Sequence, residues 1–159
     1  MRHLLKFGHS MTAITFLGSV VVLWVFHQQL ADPEAALEVY VAERLIMERL
    51  ATTVTLPSLV LSLLFGLFSM AAVEGFHNAP WAWAKLVTTV IMLEGSLLGI
   101  QSPIKREAVL AGRALTEPEL ISQLAQQLGS EQWSLVVIAV VAAANVALGV
   151  WRPRFRSKL

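Results

Sequence analysis

The sequence predicts an all-α integral-membrane protein: a four-helix bundle in one domain, 1–159, with amphipathic extramembrane helices in its two long loops. Three observations point there. Hydrophobic residues make up 56% and charged residues only 14% of the chain, with a mean hydropathy of +0.65; a soluble domain carries about 25% charged residues. Four apolar runs are each long enough for the roughly 20 residues that cross a bilayer. Trp81, Trp83, Trp133 and Trp151 stand at run ends, where an amphipathic ring favours the headgroup level. Short alternating segments of the kind that build a membrane β-barrel are absent from the sequence.

The first run, residues 4–27, follows Arg2 and overlaps Lys6. It is longer than the apolar part of a signal peptide and closes on Leu23-Trp24-Val25-Phe26-His27 without a small-x-small cleavage pattern, so it reads as a retained transmembrane helix. The loop after it carries Asp32-Pro33, a helix start with a capping acceptor and a proline where the missing N–H costs nothing. Leu37, Tyr40, Val41, Leu45 and Ile46 or Met47 give that helix a partly apolar face, and it is expected to run into the second span, 51–73. A short turn, Gly75 to Pro80, makes the third span, 80–101, an antiparallel neighbour. Thr116-Glu117-Pro118-Glu119 predicts another helix ending near Gly129, with Leu120, Leu124 and Leu128 on one face. The fourth span is 133–151.

Composition excludes several functions. A net charge of +1 gives no basic field for nucleic acid. The chain has no cysteine, which removes disulfides, thiolate metal sites, iron–sulfur clusters and thiol catalysis. Basic residues divide almost evenly, with Arg2, Lys6, Arg152, Arg154, Arg156 and Lys158 at the termini and Arg44, Arg49, Lys105, Arg106 and Arg113 in the long loops. The C-terminal cluster favours termini on the cytoplasmic side. There is no ring of charges and no inverted repeat to support a channel or transporter.

Polar residues inside the spans are the candidates for chemistry, because they are costly in lipid and turn inward. In the second span Thr55, Ser58, Ser62, Gly66 and Ser69 fall on one narrow face. Such a stripe admits either a neighbouring helix or a flat cofactor. In the first span His9, Thr12, Thr15 and Ser19 share a face; His9 is either hydrogen-bonded to a neighbour or a ligand or proton relay. His3, His27 and His77 lie at ends or in a turn and read as interfacial or structural. In the third span Lys85, Thr88, Thr89, Met92 and Ser96 form one face, and Glu94 lies opposite, needing a partner on another helix. Lys85 reads either as snorkelling or as part of a site. Asn145 in the fourth span suits an interhelical hydrogen bond. The first and third spans run in the same direction. His9 and Lys85 each stand about five residues, roughly 7.5 Å, from the start of their span, so they are expected at one depth. A neutral imidazole is a common metal ligand and the usual ligand of haem iron.

The chain resembles the small bacterial membrane family that includes the HemJ-type protoporphyrinogen IX oxidase and the copper-resistance D-type membrane domain. The matching residues, in order, are Leu5-Lys6-Phe7-Gly8-His9, Phe26-His27, Met47-Glu48-Arg49-Leu50, Thr55-Leu56-Pro57, Leu63-Leu64-Phe65-Gly66-Leu67, Trp83-Ala84-Lys85-Leu86 and Arg152-Pro153. The family's tyrosine-histidine pair in the third helix is absent, with Glu94-Gly95-Ser96 near its place. The resemblance implies haem b between the first and third spans, with His9 and Lys85 binding the cofactor and His9 as the metal ligand. It also implies electron transfer to a membrane acceptor and residence in the bacterial inner membrane. Two other readings stand beside it: a non-enzymatic accessory or carrier protein whose polar stripes only pack helices, and copper handling with Met11 or Met92 as soft ligands.

Overall fold

The computed structural model describes residues 2–76, 79–126 and 128–151. Helix α1 (Arg2–Gln28) is the first span. Helix α2 (Leu37–Leu50) continues through a π-helical turn, Ala51–Thr55, into α3 (Leu56–Ala72). Helix α4 (Pro80–Ser96) continues through a second π-helical turn, Leu97–Gln101, into α5 (Ser102–Ala114). A 3₁₀ turn, Pro118–Gln123, leads to α6 (Leu128–Trp151). Four helical stretches are long and apolar enough to span a membrane: His3–Gln28, Leu37–Ala72, Pro80–Ala114 and Leu128–Trp151. The protein is an all-α, multi-pass membrane bundle.

Around the bundle α1 packs on α3 and α6, and α4 packs on the same two helices, so α1 and α4 stand on a diagonal. The core runs through Phe16, Val20 and Leu23 of α1, Leu59 of α3, Met92 of α4, and Leu135, Ile138 and Ala142 of α6. Large apolar residues also cover the outside, among them Phe7, Ile14, Leu64, Phe68, Val140 and Val150. That belt is what a lipid solvent selects; soluble monomers rarely expose so large an apolar surface.

The two middle helices have 36 and 35 residues, about 54 and 52 Å at 1.5 Å per residue. A bilayer core takes up only about 30 Å. The surplus, α2 and α5, projects on the side of the long loops, where the two segments pack on each other around Tyr40, Val41, Ala111, Ala114 and Leu124. Both π turns lie where projection meets span, and they touch. Proline explains each. Pro57 and Pro103 have no N–H to give the carbonyls of Thr53 and Gly99, and their rings crowd those oxygens. The helix widens for one turn just before each proline instead of breaking. Thr55 Oγ1 donates to the Leu50 carbonyl at 3.3 Å across the first widened turn.

Three local expectations need correcting. Asp32 does not cap α2: its Oδ1 accepts the Glu34 N–H at 2.9 Å and its carbonyl accepts Ala35 and Ala36, closing a separate turn, and α2 starts at Leu37. Residues 116–126 form no α-helix. After the 3₁₀ turn the chain bends, Ala125 adopts φ 63°, and Leu124 is buried against α2 and α5. That bend frees Leu128 to begin α6, so the three leucines share no face. His27 is buried rather than interfacial.

Candidate functional site

The described residues place two polar groups at opposite ends of the bundle. The first lies in the half nearer the termini. His9 is half-buried, and its Nδ1 is 2.9 Å from the Ser62 carbonyl oxygen and 3.3 Å from Ser62 Oγ. A nitrogen facing a carbonyl must be the protonated one, so Nδ1–H donates and Nε2 carries the lone pair. The ring lies over the small stripe of α3: a Cβ at Gly66 would be 3.8 Å from His9 Cε1. Thr55, Ser58 and Ser62 of that stripe are buried, and the helix packed on the stripe is α1. The polar face of α1 is mostly self-satisfied. Thr12 Oγ1 donates to Gly8 and His9 carbonyls, Thr15 to Met11 and Ser19 to Phe16.

Across the bundle, Lys85 is half-buried on α4 and lays its Nζ over Gly149 of α6, where an added Cβ would come within 2.6 Å of it. One turn on, Thr89 Oγ1 donates to the Lys85 carbonyl at 2.7 Å and accepts from Asn145 Nδ2 at 2.9 Å. The expected interhelical role of Asn145 is therefore met on one side of its amide. Its Oδ1 is buried with no partner, as is Ser96 Oγ. Lys85 bears electrostatically on His9. His9 and Lys85 thus stand on diagonal helices in the same half of the bundle, each leaning on an adjacent antiparallel helix.

Glu94 faces outward from α4 and is exposed, so none of the described residues supplies the partner expected for it. Met92 is in the core and Met11 is exposed on α1, so the two candidate soft ligands do not converge. Among the described residues no three His, Asp or Glu side chains gather to hold a metal ion. His3 is exposed on the first turn of α1, and His77 lies outside the described residues.

The second polar group lies on the loop side. Arg44 is 1% exposed. Its Nη1 donates to Glu131 Oε1 at 2.8 Å and its Nε to Tyr40 Oη at 3.2 Å, with the guanidinium 5.5 Å from the Tyr40 ring centre. His27 Nδ1 approaches the same Glu131 oxygen at 3.2 Å. Tyr40 Oη donates to Glu107 Oε1 at 2.6 Å, and that oxygen also accepts the Ala125 N–H at 2.7 Å. One network therefore joins the end of α1, α2, α5, the bend at Ala125 and the start of α6. A concavity of about 250 Å³, lined by Arg106, Glu107, Gln123, Gln126 and Glu131 among others, opens beside it. A larger groove of about 700 Å³ runs along the outer face of α5, from Leu98 to Arg113. Neither is lined by His9 or Lys85.

Sequence reasoning missed this network, although two signals were present. Arg44 interrupts the apolar face of α2 one turn after Tyr40. Glu131 continues the buried row Leu135, Ile138, Ala142 and Asn145 of α6 backwards by one step.

The chain was compared with family models, with curated proteins and with solved structures, and none of them matches it.

Proposed function

We propose that the protein binds haem b inside the bilayer through His9 and serves as a membrane redox protein of the protoporphyrinogen IX oxidase kind. The observation that carries this reading is the bond from His9 Nδ1–H to the Ser62 carbonyl. Ligating histidines characteristically donate their second ring N–H to a carbonyl or carboxylate, which fixes the tautomer and raises the basicity of the other nitrogen. His9 Nε2 would thus be the nitrogen that holds the haem iron. Gly66 removes a side chain beside the ring. Lys85 fits less directly: its amine lies on Gly149 and would have to leave it to act as a ligand. In its present position it supplies a positive charge near the imidazole, suited to an anionic propionate. Haem, when bound, supplies one-electron chemistry.

The test is the absorption spectrum of detergent-purified protein from haem-replete cells. A Soret band that His9→Ala removes is the expected result; a colourless wild type overturns the reading. The second reading is a non-enzymatic membrane protein whose polar stripes only pack helices. It is favoured by the burial of Thr55, Ser58 and Ser62 under α1, which leaves the stripe covered by a helix. It expects His9→Ala to change neither colour nor any activity, and bulky residues at Ser62 to block folding.

A further inference from the structure

Glu94 is the ionisable residue furthest from an end of any span, seven residues before Gln101 and fourteen after Pro80. Seven residues correspond to roughly 10 Å of helix, further than a short glutamate side chain extends. It is exposed on α4 and, among the described residues, its side chain makes no hydrogen bond or ion pair. An isolated carboxylate in hydrocarbon is prohibitively costly, and even the neutral acid needs a partner for its donor and acceptor. Intramembrane acids accordingly turn to a protein interior. Here the side of α4 that carries Glu94 is the side that α3 and α6 leave uncovered.

That side has a regular seam. Ala84, Val87, Ile91 and Glu94 of α4, with Leu98 in the π turn that follows, are all exposed and follow one another at intervals of 3, 4, 3 and 4, the 3.5-residue repeat with which two helices pack in parallel or antiparallel pairs. Val87, Ile91 and Leu98 are 55%, 59% and 67% exposed, so none of the described residues fills the seam. We infer that α4 is the interface of a homodimer, in which the Glu94 carboxyl of each copy pairs with that of the other across a two-fold axis. A second copy is the occupant the chemistry selects. A two-fold interface brings like residues together, and a neutral carboxylic acid is self-complementary, offering one O–H donor and one carbonyl acceptor. A lipid chain offers neither group.

The absence of cysteine allows a clean test in native membranes. Single cysteines at Val87, Ile91 and Leu98 are to be oxidised alongside controls at the outward positions Leu64 of α3 and Val140 of α6. The expected result is a disulfide-linked band of twice the chain mass from the three seam positions and not from the controls. Equal cross-linking at all five positions, none at the seam, or a seam adduct of another mass, which would mean a different protein covers it, overturns the homodimer. In the Ile91→Cys background, Glu94→Leu is expected to lower cross-linking about tenfold, on the scale of one interhelical hydrogen-bonded pair. Glu94→Gln, which keeps a donor and an acceptor, preserves it. Unchanged cross-linking in Glu94→Leu would remove the carboxyl pair. Because the cysteine series leaves Glu94 intact, a folding defect in Glu94→Leu does not blunt the test.

Discussion

The two polar groups of this bundle are built on opposite principles. On the loop side Arg44, Glu131, His27, Tyr40 and Glu107 form a connected set: Glu131 Oε1 is shared by His27 and Arg44, and Glu107 Oε1 by Tyr40 and Ala125. In the opposite half His9, Lys85, Thr89 and Asn145 are spread over separate helix pairs, and Asn145 Oδ1 is left buried and unpaired. A network whose members answer one another fixes geometry. A group with spare capacity, such as His9 Nε2, can take one. The first arrangement ties α1, α2, α5 and α6 together where they leave the membrane; the second leaves single polar groups on separate helix pairs.

This contrast sets an order of effects. Removing one member of the loop-side network strands a buried charge. Glu131→Ala should cost about 3–5 kcal/mol, while Arg44→Met combined with Glu131→Leu, which removes both charges and keeps volume, should cost much less. Equilibrium unfolding in detergent micelles measures both. If the single and double variants lose equal stability, the pair is not the element that holds this end. Asn145→Leu belongs to the other half and should matter less. It gives up one hydrogen bond to Thr89 but also removes an unpaired oxygen, so stability should stay within about 1 kcal/mol of wild type. A larger loss would show that the amide oxygen is satisfied in the membrane, by water or a ligand. The smallest effect, and one of opposite sign, is expected at Ala125. Its φ of 63° is a conformation that costs a non-glycine residue about 1–2 kcal/mol. Ala125→Gly should therefore raise stability by up to about 1 kcal/mol, because glycine gives back part of that gain as chain entropy. Ala111→Gly, inside α5, should lower it by about 1 kcal/mol.

The spans could be read from the sequence because lipid imposes a long-range compositional rule that each segment obeys alone. All four apolar runs became helices, and the expected continuation of α2 into the second span was met. What could not be read depends on residues distant in sequence. Asp32 and Thr116 carry ordinary helix-start signals, yet Asp32 closes a turn of its own, and the chain after Pro118 is drawn into a bend by Leu124 packing on α2 and α5. The Arg44–Glu131 pair joins positions 87 residues apart, and neither residue announces the other. At the candidate site the sequence placed His9 and Lys85 in the same half of the bundle. It did not indicate that His9 would bond Ser62 or that Lys85 would turn to Gly149, since both depend on which antiparallel neighbour each helix meets.

The division into a structural end and a chemical end is tested most directly by titrating haem into purified wild type, His9→Ala and His27→Ala, following the Soret band and thermal unfolding together. Wild type should bind haem. His9→Ala should lose the Soret band while keeping most of its stability, and His27→Ala should keep the band while unfolding at a lower temperature. A colourless wild type, or a Soret band that follows His27 instead of His9, would contradict the assignment of the two ends.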